Sequence, residues 1–273
     1  GSSASASPGS LAMARLHDLT IPVSIAPASG LYMLEARTGE IAAVPGAGTC
    51  LSNPVPFDRE RYVIYDRGGQ IEAWDPGRQA SWHLEGQPGR SRWQAPCPHV
   101  EGTALLFHDE QEVVRWSRIP RPPAGAWQLR GSLRRSGLAR SWGSDHRGIA
   151  EAWADERLDR VVLRGNDGAL AIIRWPGGPL LNLIPALPGS ALDGLGPVHS
   201  CNLSPAGRHV LIEGPRGLWR YDLENRLADP MPEIDMALGG SVAGLANWLR
   251  EDGFLARNRG SAGQERFVLA DWA

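Results

Sequence analysis

The sequence predicts an all-β protein, on three observations. Glycine and proline are abundant, at 33 and 22 of 273 residues, which suits many short strands and tight turns better than long helices. Apolar and β-branched residues fall in short, often alternating runs of the kind that fill half-buried strands. One pattern also returns along the chain. A run of strand formers leads into a polar turn, then into an alternating strand that ends on an aromatic or apolar anchor, usually followed by Asp.

Taken in order, the first copy is "PVSIAPASGLYMLEARTGE", with Leu34 as anchor. "RYVIYDRGGQIEAWDPGR" supplies Val63 and Ile64, a turn at Gly68 and Gly69, and the anchor Trp74 followed by Asp75. "TALLFHDEQEVVRWSR" supplies Leu105 and Phe107, a turn at Asp109 and Glu110, and Trp116. "RVVLRGNDGALAIIRWPGG" places Val161 to Leu163 before a turn at Asp167 and Gly168, with Trp175 closing the second strand. "SPAGRHVLIEGPRGLWRYDLENR" places Val210 to Ile212, a turn at Arg216 and Gly217, and Tyr221 followed by Asp222. "GFLARNRGSAGQERFVLADWA" ends the series on Ala270 and Asp271. Most pairs have a candidate fourth strand after them, such as "QASWHLE", "GAWQLR" or "LLNLIPAL", and a less regular first strand before them, such as "RWQAPCPHV", "GIAEAWAD" or "VHSCNL".

The anchors are 40 to 59 residues apart, a period that fits the four-stranded blade of a β-propeller. The prediction is therefore six blades, with seven as the alternative because the 59-residue interval between Trp116 and Trp175 has room for another. The last copy stops on its third strand. Pairing it with an N-terminal strand from before residue 22, in "ARLHDLTI", would close the ring and remove both open edges.

The stretch "SPAGRHVLIEGPRGLWRYDLENR" resembles the WD40 and TolB-type repeat, in which Ser-Pro-Asp-Gly precedes one strand and Trp-Asp closes the next. Ser204, Pro205 and Gly207 match, Ala206 replaces the Asp, and Tyr221-Asp222 stands for Trp-Asp; Trp74-Asp75 matches directly. "WLREDGFLARN", with Trp248, Asp252 and Gly253, is similar to the start of a TolB-type blade. The resemblance implies a propeller from about residue 14 onward and specifies no activity, because one fold hosts many functions. The Gly-His dipeptides of regular WD40 repeats are absent, so the expected fold is a divergent member.

Residues 1–13, "GSSASASPGSLAM", read as a tag or leader remnant, and residues 14–273 as a single β domain. They lack the charged and apolar regions of a signal peptide. No segment is apolar enough to span a bilayer as a helix. Cys50, Cys97 and Cys201 are an odd set without disulfide-like spacing, which predicts a reducing, cytoplasmic setting. The formal charge of −2 offers no global attraction to nucleic acid or membrane. Every basic residue is Arg, which a GC-rich bacterial coding bias explains more simply than function does.

Local charge is more informative. From Val113 to Ser144 the chain carries Arg115, Arg118, Arg121, Arg130, Arg134, Arg135 and Arg140, interleaved with Trp116, Trp127 and Trp142, and no acidic residue. Arginine makes bidentate contacts with carboxylates, and aromatic and Arg side chains dominate interfaces. The expected role is docking of an acidic protein surface by Arg130, Arg134, Arg135 and Arg140, with Trp127 and Trp142 as anchors. The plainer reading is a solvated segment, neutralised by "EAWADERLD" or by the Asp222 to Asp235 region.

The competing expectation is an enzyme or small-ligand binder. "CPH" and "HSC" set Cys97 beside His99 and His199 beside Cys201 at the two-residue spacing that shares a strand face. Four such ligands suit tetrahedral zinc, although buried Cys and hydrogen-bonded His are common in strands and the two segments fall in non-adjacent repeats. "GSDHRG" places His146 beside Asp145, but neighbours in a strand point apart, so His146 and His199 are the catalytic candidates without a dyad. No nucleophile elbow, P-loop or dinucleotide motif occurs. Asp155 with Glu156 and Glu251 with Asp252 are expected to be solvated turn residues. Trp82, Trp93, Trp142 and Trp153 are candidates for a ligand platform or, more simply, for sheet packing. The sequence thus predicts a non-catalytic scaffold without cofactor, zinc being the alternative.

Overall fold

A computed structural model describes residues 20–25, 30–45, 55–57, 62–67, 70–75, 78–83, 92–99, 102–108, 113–118, 128–134, 149–155, 157, 159–174, 179–184, 186–239, 247–251, 253–259 and 265–271. Side chains are placed chiefly within 30–45, 150–174, 181–239 and 253–258. The fold is mostly β. The strands are β1 (Thr20–Ile25), β2 (Gly30–Glu35), β3 (Ile41–Ala43), β4 (Val55–Phe57), β5 (Tyr62–Arg67), β6 (Gln70–Asp75) and β7 (Ala80–His83). Then come β8 (Arg92–His99), β9 (Gly102–His108), β10 (Val113–Arg118), β11 (Gln128–Arg134), β12 (Ile149–Ala154), β13 (Arg160–Gly165), β14 (Leu170–Arg174) and β15 (Leu180–Ile184). The chain ends with β16 (Ser200–Leu203), β17 (His209–Gly214), β18 (Gly217–Asp222), β19 (Leu227–Pro230), helix α1 (Pro232–Leu238), β20 (Asn247–Arg250), β21 (Gly253–Arg259) and β22 (Glu265–Asp271).

Among the described residues these strands form separate antiparallel sheets, each from consecutive strands: β1-β2-β3, β4 to β7, β8 to β11, β12 to β15, β16 to β19, and β20-β21-β22. Tight turns set the register. Gly168 takes a left-handed φ of 81° between β13 and β14, and Pro215 and Arg216 reverse the chain between β17 and β18, pairing Gly214 with Gly217. Such turns join neighbouring antiparallel strands with few residues.

The predicted propeller, with six or seven blades, is not what the structure gives. No sheet closes into a barrel or a propeller, and the chain ends do not pair: β1 pairs only with β2, and β22 only with β21, among the described residues. The proposed donor "ARLHDLTI" contributes Thr20 and Ile21 to β1, opposite Glu35 and Leu34; its earlier residues lie outside the described ones. The physical reason is that turn residues and alternation specify a hairpin locally. They carry no information about hydrogen bonding between distant segments.

Sheets meet instead through side chains. The largest cluster joins β12–β15 to β16–β19, with Val161, Val162, Leu163, Leu170 and Ala171 on one side, Leu203, Val210 and Ile212 on the other, and Leu192, Leu195 and Val198 from the connecting segment. Each fully buried aliphatic side chain there contributes about 1.5–3 kcal/mol. A second cluster joins β16–β19 to β20–β22 through Leu211, Leu218, Trp248, Phe254 and Ala256. Leu31 and Val44 cover Trp74, and Leu34 meets Leu255 beside Tyr32 and Phe267. Trp153, a candidate platform, is buried in the largest cluster.

Helix α1 was not anticipated from sequence. Pro232 lies in its first turn with Glu233 and Asp235, and Gly239 ends it at φ 75°; this is the usual asymmetry of helix ends. Ile234 and Leu238, four residues apart, bury one face in the cluster with Leu218 and Phe254.

Candidate functional site

The basic segment falls on two paired strands. Arg115 and Arg118 are in β10, Arg130 and Arg134 in β11, and β11 is the terminal strand of its sheet. The register runs Val113 opposite Arg134, Arg115 opposite Ser132 and Trp116 opposite Gly131, then shifts so that Ser117 faces Leu129. Arg130 is therefore the extra residue of a bulge on an edge strand. Bulges redirect a strand at sheet margins. Arg121, Arg135, Arg140, Trp127, Trp142 and His146 lie outside the described residues, so the neutralisation of the Arg segment by nearby acids is also not described.

β11 has seven residues. The strands ending the other four-stranded sheets have four in β7, five in β15 and four in β19, and β19 ends on Pro230. An edge strand presents a row of free backbone N–H and C=O groups. β11 is thus the longest of these closing strands; β8, the opposite edge of its own sheet, has eight residues but contains Pro96 and Pro98, which carry no N–H.

The Cys/His candidates are divided between two sheets. Cys97 and His99 are in β8, while Cys201 is in β16 and His199 precedes it, in different sheets. His199 is exposed and Cys201 is buried. The His199 amide donates to the Glu213 carbonyl at 2.8 Å. Glu151 reaches across from β12: its Oε2 accepts the Cys201 amide at 3.1 Å and the thiol at 3.8 Å. Arg164 Nε lies 3.2 Å from the same oxygen as an ion pair. Burial, with the Glu151 carboxylate adding to it, pushes the Cys201 thiol well up from its ordinary value. Such a shift disfavours the thiolate, the form that acts as nucleophile or metal ligand. No group of three or more metal-binding side chains occurs among the described residues. Glu151 had one signal in the sequence, as the charged residue interrupting the apolar strand "IAEAWA".

A second polar junction involves residues expected to be solvated. Asp155 is only 3% exposed, and its Oδ1 accepts the amides of Asp159 and Arg160 at 2.8 and 3.3 Å. Ser204 holds the equivalent position after β16, and its Oγ accepts the amides of Arg208 and His209 at 3.1 and 3.0 Å. Asp and Ser are interchangeable here because each offers an oxygen acceptor to a turn. Neighbouring sheets grip the second turn from both sides. Arg160 Nη1 donates to the Gly207 carbonyl at 2.7 Å, while Glu251 accepts the Ser204 hydroxyl at 3.0 Å and the Ala206 amide at 2.7 Å.

His209 belongs to this junction, stacked on Trp248 with ring centroids 6.1 Å apart. Burial lowers its pKa, outweighing Glu251 and Asp222, which act to raise it; Arg220 and Arg208 lower it further. The folded protein therefore takes up this proton less readily than the unfolded chain. The stability it contributes is full above about pH 6.5 and is lost as pH falls through the lower folded value. Asp155 has the opposite sign: burial raises its pKa, partly offset by the two backbone hydrogen bonds, so stability at this group is gained on acidification. We expect the melting temperature to drop between about pH 7.5 and about pH 5.5, and to drop less in His209→Gln. Equal drops in calorimetric scans of the two proteins would remove His209 as the source.

No protein-family model matches the chain, and no curated protein matches it. A solved structure described as "KlHsv2 with loop 6CD replaced by a Gly-Ser linker" is similar at 11% identity and a TM-score of 0.46, over 89% of this chain and 92% of that one. A likeness at that level decides neither fold nor function. No helix among the described residues is long and apolar enough to cross a membrane.

Proposed function

We propose that the chain is a non-catalytic cytoplasmic scaffold whose Arg- and Trp-rich segment docks an acidic surface of a partner protein. The observation supporting this reading is the position of Arg130 and Arg134 on β11, the terminal strand of its sheet, with Arg130 at the bulge. The sheet that ends in β11 meets its neighbours at its other side, where β8 approaches β4 and β12, and interaction residues commonly sit at the margins of a framework. Arg135 and Arg140 extend the charge, and Trp127 and Trp142 supply aromatic area.

The test is affinity purification from the native host, beside a variant with Arg130, Arg134, Arg135 and Arg140 changed to Ala, with mass spectrometry and metal analysis of both eluates. A stoichiometric acidic protein present with the parent and lost from the variant is the expected result. The same proteins eluting with both, or a lone chain carrying stoichiometric zinc, would overturn the reading.

A further inference from the structure

We infer that β11 binds its partner by strand addition, taking up an extended acidic segment as the next strand of the β8 to β11 sheet. This rests on the reading of the Arg segment as a partner surface. Strand addition uses main-chain hydrogen bonds for affinity and side chains for selectivity. Both components are present here.

The main-chain component follows from length and composition. Gln128–Arg134 has seven residues and no proline, so every residue keeps its N–H. Among the described residues it pairs with β10 alone. Alternate residues of an antiparallel edge offer both backbone groups outward, and a seven-residue edge has several such positions where β7, β15 and β19 have fewer. The bulge leaves Arg130 without a partner opposite it in β10 and increases local twist, a feature that works against open-ended edge pairing, so an added strand needs charge complementarity as well.

Charge selects the occupant. The span 113–144 carries seven Arg and no acidic residue. A second copy pairing antiparallel about Ser132, a register that uses most of β11, would bring its Arg130 and Arg134 against those of the first, and like charges across a strand pair are destabilising. An acidic strand reverses that sign and forms charge-assisted contacts instead. The occupant is therefore a partner segment with Glu or Asp at alternate positions.

The experiment leaves the protein unaltered. A fluorescein-labelled peptide of alternating Glu and Val is titrated with the full chain, followed by anisotropy, and compared with two N-methylated forms, one modified at the Glu residues and the other at the Val residues. In an added strand only one set of amides points at β11. The expected result is at least about tenfold weaker binding for one methylated form, equivalent to 1.4 kcal/mol or more, and near-parent binding for the other. Equal binding of all three peptides overturns strand addition and leaves the basic-surface reading standing, since the contact is then made by side chains. Equal weakening by both modifications also overturns it, marking a general loss of extended conformation. If the parent peptide does not bind, both the inference and the reading beneath it fail.

Discussion

Alanine at Gly168 lowers the free energy of unfolding by about 2–5 kcal/mol, and alanine at Gly189 by only about 1–2 kcal/mol. The two glycines have nearly the same backbone, with φ of 81° and 76°, so the penalty for a side chain in the left-handed region is common to both. They differ in surroundings. A Cβ at Gly168 would lie 2.6 Å from Pro197 Cβ and 2.8 Å from the Val198 backbone nitrogen, whereas a Cβ at Gly189 meets nothing within 4 Å. Backbone cannot step aside as a flexible side chain does. The Val198 amide also donates to the Gly168 carbonyl at 2.8 Å, so displacing the turn strains a hydrogen bond between the β13–β14 turn and the segment before β16. Equilibrium urea unfolding of both variants measures the difference, and equal losses would show that the crowding at Gly168 has no energetic weight.

Truncating Phe254 has a comparable effect, a loss of about 3–5 kcal/mol in Phe254→Ala. Its side chain is fully buried, in the cluster where β17, β18, α1 and β21 meet around Leu211, Leu218, Ile234 and Leu238. Trp248 is tilted against it with centroids 6.1 Å apart, so the cavity opens beside a fluorophore. Urea titration followed by the summed emission of the eleven tryptophans, Trp248 among them, reports the stability. A loss under about 1 kcal/mol, within the range of surface substitutions and mild core changes, would place the ring outside a close-packed core.

What the sequence made legible was the hairpin. Val210 to Ile212, the Arg216–Gly217 turn and Tyr221 fall where β17 and β18 run, and Asp167–Gly168 marks the β13–β14 turn. Those features depend on residues close in the chain, where turn chemistry and alternation are read directly. First and fourth strands were also placed, "VHSCNL" at β16 and "LLNLIPAL" at β15. Arrangement between sheets was not legible, because it rests on clusters such as Leu34 with Leu255 that no local pattern encodes. The polar junctions were missed for a related reason. Asp155 and Glu251 sit in sequence among charged turn residues; Asp155 accepts from its own turn, a closure that its spacing to Asp159 and Arg160 did not signal, and only the approach of a neighbouring sheet turns Glu251 into an acceptor. Arg130 was identified as basic, but its position at a bulge depends on the register with β10.

The hold of Glu251 on the Ala206 amide has a consequence for hydrogen exchange. Ala206 is exposed at the tip of its turn, where an amide ordinarily exchanges with deuterium almost at the rate of an unfolded peptide. Its hydrogen is instead directed at a carboxylate from the next sheet. Exchange there then requires the Glu251 carboxylate to swing off the turn, so this one surface amide reports how often the polar contact between two sheets opens while each stays folded.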